Sequence, residues 1–145
     1  MKASIDELKK NSLFTIKHEG KLYTIDLSRE LSINENIINT QLKQSASSYS
    51  FLSLLRNKAI RKRDKLEKEK DEAYSRAWVS IKESNRALSN DLVSHKANIN
   101  PKYQGLLKKY VLANSQAENL ISICRAFENR ERLLQTLSAN IRKES

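Results

Sequence analysis

The chain has 145 residues, enough for one domain, and carries 27 Lys and Arg against 17 Asp and Glu, a formal net charge of +10. Its two glycines and single proline exclude folds built on glycine-rich phosphate loops, dinucleotide-binding fingerprints or many tight turns. Apolar residues make up 39% and charged residues 30%, which is typical of elongated helices sharing a narrow apolar face. A surface this basic favours a polyanionic partner, either nucleic acid or an anionic membrane.

The sequence offers no pattern typical of an enzyme or a metal site. Cys124 is the only cysteine, and His18 and His95 have no neighbours at the spacing of zinc ligands. No serine is flanked by glycines as in a nucleophile elbow. Residues 1–10 lack the apolar core of a signal peptide, and no window reaches the roughly 18 apolar residues of a membrane span. We therefore expect a cytoplasmic protein with no catalytic activity, cofactor, metal or membrane association.

Residues 1–31 are the strand-like part of the chain and are predicted to form an N-terminal appendage. Residues 13–17 and 21–26 alternate apolar and polar side chains around His18-Glu19-Gly20, where glycine tolerates a positive φ. This pattern predicts a short β-hairpin, which should pack on a helix or another subunit because an isolated hairpin is marginal in water. One interpretation is that the exposed edges of the hairpin accept a strand from a partner. The other is that the hairpin is a folded-back appendage with no partner.

The sequence pattern predicts that residues 32–145 form an elongated, mainly α-helical hairpin with coiled-coil character. The first helix, over residues 32–84, begins at Ser32-Ile33-Asn34-Glu35, which is a capping-box pattern. Within residues 61–72, Leu66 is the only apolar side chain, so this stretch must project from the body or line a wet surface. The pattern leaves open whether the whole segment is one helix or two.

A connector at residues 85–100 leads to a second long helix, predicted over residues 101–143. Inside the connector, Ser89-Asn90-Asp91 favours the start of a short helix. Asn100-Pro101 then marks the start of the last helix, because asparagine caps free backbone N–H groups and proline fits the first helical position.

The last helix carries apolar residues at alternating spacings of three and four, the heptad pattern of a coiled coil. Glu131 breaks this pattern, and a three-residue step from Phe127 to Arg130 restores it. The apolar face is wide enough for a hairpin partner and for self-association, so we expect a homo-oligomer. Cys124 is interpreted as a small core side chain. The residues assigned to oligomerisation are Tyr103, Leu106, Tyr110, Leu120, Cys124, Phe127 and Leu134.

Half of the net positive charge lies in residues 56–86, which hold eleven Lys and Arg against six acids. One interpretation is a solvated helix with ion pairs four residues apart, such as Asp64–Lys68 and Lys68–Glu72. The other is a nucleic-acid surface, since five cations precede the first acid of this segment. The 100° step of a helix spreads consecutive cations around its axis, which favours contacts with the phosphate backbone over base recognition.

Aromatic side chains follow this cluster and provide a means of stacking on unpaired bases. Tyr74 and Trp78 lie one helical turn apart, although packing against a partner helix is the favoured interpretation of Trp78. The candidate DNA-binding residues are Arg56, Lys58, Arg61, Lys62, Arg63, Lys65, Lys68, Lys70, Tyr74 and Arg76.

The order of these features resembles the bacteriophage recombination mediators of the UvsY type over residues 40–145. The resemblance rests on a basic first helix with Tyr49-Ser50-Phe51-Leu52 near its start, on Lys68-Glu69-Lys70-Asp71-Glu72-Ala73-Tyr74-Ser75, and on the heptad-rich last helix. It implies a helical, ring-forming oligomer that binds single-stranded DNA weakly per subunit. It also implies that the protein helps a RecA-like recombinase displace single-strand-binding protein in the cytoplasm of a phage-infected bacterium.

The resemblance places the family's pair of cations at Lys68 and Lys70, before Tyr74-Ser75. This sequence departs from the family after that step, because Arg76-Ala77-Trp78 continues a helix where the family has a glycine-bearing break. The implied function is a non-enzymatic recombination mediator whose partners are single-stranded DNA, the recombinase and the coating protein. The alternative is a coiled-coil scaffold or chaperone with no nucleic-acid role, whose basic stretch is solvated surface.

Overall fold

The computed structural model describes residues 12–145. Residues 1–11, where the sequence predicted no signal peptide and where the predicted appendage begins, lie outside the described residues. The chain is mainly α-helical with a small antiparallel sheet, which confirms the predicted fold class, while the oligomeric state stays a prediction. In chain order the elements are β1 (Leu13–His18), β2 (Lys21–Asp26), α1 (Leu27–Glu30), a 3₁₀ helix (Glu35–Ile37), α2 (Ile38–Ser84), α3 (Asn90–Asn98) and α4 (Pro101–Glu144).

The predicted β-hairpin is confirmed, with Leu13 opposite Asp26 at its open end and His18 opposite Lys21 at the turn. Glu19 and Gly20 both have positive φ, at 50° and 75°. Two consecutive positive values are typical of a type I′ turn, whose twist matches that of the flanking strands. Gly20 therefore supplies the backbone freedom that the sequence pattern indicated.

The ends of the helices show one wrong prediction and two confirmed ones. Ser32 does not cap α2, because its hydroxyl donates to the Arg29 carbonyl at 2.8 Å. Asn34 is the cap instead, accepting from the Asn36 N–H at 3.0 Å, and it starts the 3₁₀ helix that precedes α2. Asparagine competes well with serine for a cap position, which explains the difference. The predicted caps of α3 and α4 are present, from the side chains of Ser89 and Asn100.

The chain divides into two compact units, which differ from the predicted division after residue 31. The first unit comprises Met1–Leu55 and Ser122–Ser145, and the second unit comprises Arg56–Ile121. Both long helices are continuous, so the segment that the sequence left as one helix or two is the single 47-residue helix α2. The hairpin belongs to the same unit as the start of α2 and the end of α4.

The core of the first unit combines the hairpin with these two helix segments. Tyr23 and His18 place their rings 5.4 Å and 6.1 Å from the ring of Phe51 on α2. The hairpin is therefore held by aromatic contacts with a helix, as the marginal stability of an isolated hairpin requires. The apolar side chains buried in this unit are Ile16, Ile38, Leu52, Leu55, Ile123, Cys124, Phe127 and Leu134.

The second unit is a helical hairpin made from the later part of α2, the short helix α3 and the first part of α4. Its buried apolar side chains are mostly small, which lets helices approach closely: Ala73, Val93, Ala97, Ala113, Ala117 and Leu120. Two polar contacts tie α2 to the connector and α3. The Trp78 indole N–H donates to Ser94 Oγ at 3.2 Å, and Lys82 Nζ donates to the Leu88 carbonyl at 2.6 Å.

Candidate nucleic-acid interface

The candidate DNA-binding residues all lie on α2 within the second unit, and the structure separates them into two sets. One set is half-buried: Arg56, Arg63, Lys70 and Tyr74. The other set is exposed: Lys58, Arg61, Lys62, Lys65, Lys68 and Arg76. Because only exposed cations can reach a long phosphate backbone, the second set is the candidate interface.

Four of the exposed cations share one side of the helix, which we call the cationic face. They are Lys58, Arg61, Lys62 and Lys65, and their spacing of i, i+3, i+4 and i+7 returns each side chain to the same side of an α-helix. This differs from the expectation that the run of cations spreads around the helix without forming one stripe. The spreading applies to consecutive residues, whereas Arg56 and Arg63, which break the stripe, lie on the half-buried side.

Three charges of the cationic face, those of Arg61, Lys62 and Lys65, are only weakly neutralised by neighbouring acids of the described residues. Lys65 Nζ lies 3.8 Å from a carboxylate oxygen of Glu69, an exposed pair four residues apart of the kind that contributes little energy. Within residues 12–145, Arg61 and Lys62 form no ion pair within 4.0 Å. The first acid of the segment, Asp64, is bound instead by the Arg63 guanidinium at 2.9 Å. Arg61, Lys62 and Lys65 therefore keep their positive charge for an external anion.

Lys68 and Arg76 have a different environment, because both line a surface groove that is rich in carboxylates. The acids of this groove are Asp64, Glu67, Asp71 and Glu72. Neither predicted ion pair of Lys68, with Asp64 or with Glu72, is formed among the described residues. The surrounding negative charge nevertheless repels a phosphate, so the groove is a poorer phosphate site than the cationic face.

Lys70 is held inside the unit and is not free to contact DNA. Its side chain is 15% exposed, and its Nζ donates to Asp71 Oδ1 at 2.6 Å. The same Nζ lies 5.2 Å from the centre of the Tyr110 ring on α4, at the distance of a cation–π contact. The hydrogen bond to Asp71 raises the pKa of Lys70, and partial desolvation opposes it. Of the two cations that the resemblance assigns to DNA binding, Lys68 is therefore exposed and Lys70 is packed inside the unit.

The aromatic residues after the basic cluster are engaged in packing. The Tyr74 ring meets the Tyr103 ring edge-on, with centres 5.3 Å apart. Trp78 is half-buried and donates to Ser94 as described above. Such contacts stabilise the second unit, and both side chains are half-buried in it.

The residues assigned to oligomerisation are largely covered by the chain itself. Leu120, Cys124, Phe127 and Leu134 are at most 1% exposed, and Tyr103, Leu106 and Tyr110 are half-buried. The heptad pattern therefore marks core positions of the single chain, and it does not leave these side chains as a free face. Self-association stays a prediction. The apolar side chains that α4 does expose lie elsewhere on its surface: Val111, Leu112, Leu133 and Ile141.

Sequence reasoning missed a set of buried polar side chains in the first unit. Gln41, Ser45 and Arg130 are between 1% and 7% exposed, although their residue types favour the surface. A signal was present in the sequence, since Gln41, Gln44, Ser45 and Ser48 follow the i, i+3, i+4, i+7 spacing of one helix face.

Residues 12–145 contain neither a metal-ion cluster nor a membrane-spanning helix. In this part of the chain no three His, Cys, Asp or Glu side chains are grouped to hold a metal ion. None of the helices described has an apolar stretch long enough to cross a bilayer. No protein-family model, curated protein or solved structure matches the chain. The cationic face is the feature of the second unit that bears most directly on function.

Proposed function

We propose that this protein binds the phosphate backbone of single-stranded DNA through the cationic face of α2, without reading the bases. The observation that carries the proposal is the exposure of the four cations of this face on one side of a helix, where Arg61, Lys62 and Lys65 have one loose ion pair among the described residues. A row of such cations tracks a flexible chain of phosphates and has no fixed array of hydrogen-bonding groups for base edges.

The function that fits this binding best is that of a recombination mediator. Four cations give weak binding per subunit, which suits a protein that must hold DNA briefly while a recombinase replaces a coating protein. If several copies assemble, their cationic faces act together and gain affinity through effective concentration. The support for this role is the resemblance to the UvsY type together with the cationic face. A scaffold without a nucleic-acid role is the outcome if DNA binding is absent.

The experiment that tests the proposal replaces two cations of the face, Lys62→Gln with Lys65→Gln, and measures binding to labelled oligo-dT by fluorescence anisotropy. Each lost phosphate contact should make the slope of log affinity against log salt shallower by about 0.7, or about 1.4 for the pair. If the variant and the unchanged protein bind equally at roughly 1 M salt, this difference in slope corresponds to an affinity loss of about 25-fold at roughly 0.1 M salt.

The matched control removes the same amount of positive charge from another part of the chain. Lys17→Gln with Lys21→Gln removes two exposed lysines from the hairpin of the first unit, with the same change in net charge. The proposal expects its salt slope to equal that of the unchanged protein. Equal losses in the two double variants would show that net charge, rather than the cationic face, governs binding.

A further inference from the structure

The buried polar side chains of the first unit converge on one pocket, which we call the polar pocket. Among residues 12–145 the buried polar or charged side chains are Gln41, Ser45, Arg130 and Ser138, and the first three line this pocket. It has a volume of about 450 Å³, within the range of small-molecule sites. Arg29 and Glu30 lie at its exposed edge, which gives the pocket access to solvent.

Arg130 is buried and lines the pocket, and it forms no ion pair within 4.0 Å with a carboxylate of residues 12–145. The residue is 7% exposed, and its Nε and Nη2 atoms donate to the Ser32 carbonyl at 3.2 Å and 3.1 Å. That carbonyl also accepts from Gln41 Nε2 at 3.2 Å, so three donors share one acceptor. No carboxylate of the described residues lies within 4.0 Å of Arg130. Burial lowers the pKa of Arg130, and the more distant charge of Glu30 offsets this only in part.

The remaining donors of Arg130 are therefore available to a ligand. A guanidinium carries five N–H groups that point outward in one plane, and the contacts with Ser32 use one edge of that plane. A buried charge that lacks a partner is costly, and an anion bound beside it removes that cost.

Ser45 supplies a second, independent sign of a missing ligand. Its side chain lines the polar pocket and is 1% exposed, yet its hydroxyl has no hydrogen-bond partner among the described residues. Buried hydroxyls are almost always hydrogen-bonded, because burial without a partner carries the full desolvation cost. Ser48, three residues further along α2, lines the same pocket and adds another hydroxyl.

We propose that the polar pocket binds a phosphate group, either inorganic phosphate or the phosphate of a small ester. Arg130 and Arg29 would supply charged donors, and the hydroxyls of Ser45 and Ser48 would supply neutral ones. The charged side chains that line the pocket are Arg29, Arg130 and Glu30, so its net charge is positive, which favours an anion. Arginine side chains bind phosphate through two parallel hydrogen bonds, and the hydroxyls can donate to the remaining phosphate oxygens.

The test titrates the full-length chain with inorganic phosphate by isothermal calorimetry, with sodium chloride holding the ionic strength constant. Loss of a hydrogen bond to a charged group should weaken binding by about tenfold or more, so Ser45→Ala and Arg130→Lys should each show at least that loss. Ser45→Ala is the decisive variant, because its hydroxyl makes no hydrogen bond to residues 12–145 whose loss would disturb folding.

Two controls separate this pocket from other cations. Arg132→Lys changes an exposed arginine two positions along the same helix, and Lys17→Gln with Lys21→Gln changes two exposed lysines of the hairpin. Both should bind phosphate as the unchanged protein does. Tighter binding of a deoxynucleoside 5′-monophosphate than of inorganic phosphate assigns the ligand as an ester, and equal or weaker binding assigns free phosphate.

Three results would overturn the proposal. The first is no heat of binding with the unchanged protein at millimolar phosphate. The second is unaltered affinity in Ser45→Ala and Arg130→Lys, which would make the polar pocket a purely structural feature. The third is acetate binding as tightly as phosphate, which would assign a carboxylate ligand instead. The cationic face is left intact in Ser45→Ala. Loss of phosphate binding in this variant can therefore be distinguished from loss of DNA binding, which oligo-dT anisotropy measures separately.

Discussion

Replacing Lys70 by methionine should destabilise the second unit while leaving DNA binding nearly unchanged. The Lys70 side chain is 15% exposed, its Nζ lies 5.2 Å from the centre of the Tyr110 ring, and it donates to Asp71 at 2.6 Å. Methionine keeps most of the apolar stem, so the substitution removes mainly the charge. A cation–π contact at a partly covered site contributes about 1 kcal/mol. For a chain of this size that corresponds to a fall of about 2–4 °C in Tm.

The assay is thermal unfolding followed by circular dichroism, paired with oligo-dT anisotropy on the same samples. Lys68→Met is the matched control, since Lys68 is exposed and forms no ion pair within 4.0 Å among the described residues. Its Tm should stay close to that of the unchanged protein, because exposed substitutions usually change stability by less than about 0.5 kcal/mol. A Lys70→Met protein with unchanged Tm and strongly weakened DNA binding would refute the argument that Lys70 is packed and not a phosphate contact.

Three further outcomes follow from the contacts of the second unit. Asn100→Ala should lower the free energy of unfolding by about 1 kcal/mol through loss of the α4 cap, seen as a lower urea midpoint; an unchanged midpoint would contradict this. Tyr74→Leu should cost about 1 kcal/mol by removing the edge-on contact with Tyr103 and should leave oligo-dT affinity unchanged, whereas weakened binding at unchanged stability would restore Tyr74 as a stacking residue. Because the folded pKa of Lys70 is raised above 10.5, its contribution to stability is complete below pH 10.5 and is lost as pH rises through the folded value. Stability should therefore fall more steeply above that pH than in Lys70→Met, as denaturant titrations at several alkaline pH values would show.

Features set by neighbouring residues were predictable from the sequence. The hairpin depends on the alternation of apolar and polar residues in its strands and on Gly20. The caps at Ser89 and Asn100 depend on a side chain that accepts from a backbone N–H two or three residues further along the chain. The capping box at Ser32 was wrong because Asn34 is an equally good local cap, and the pattern alone does not rank two such candidates.

Features set by distant residues were not predictable in the same way. The exposure of Lys62 and the packing of Lys70 depend on which side of α2 meets the rest of the second unit, and Lys70 meets Tyr110 from another helix. Arg130 reaches the carbonyl of Ser32 across a separation of 98 residues. A heptad pattern likewise identifies an apolar face without saying whether the same chain or a second copy covers it.

The most direct test of the central account is the salt dependence of oligo-dT binding by the unchanged protein, measured by sedimentation velocity with labelled DNA. If the four cations of the cationic face each contact one phosphate, the slope of log affinity against log salt is about −3. Affinity should then fall about 50-fold between roughly 50 mM and 200 mM salt. Binding that does not change with salt, or no binding at the lower concentration, would contradict the account.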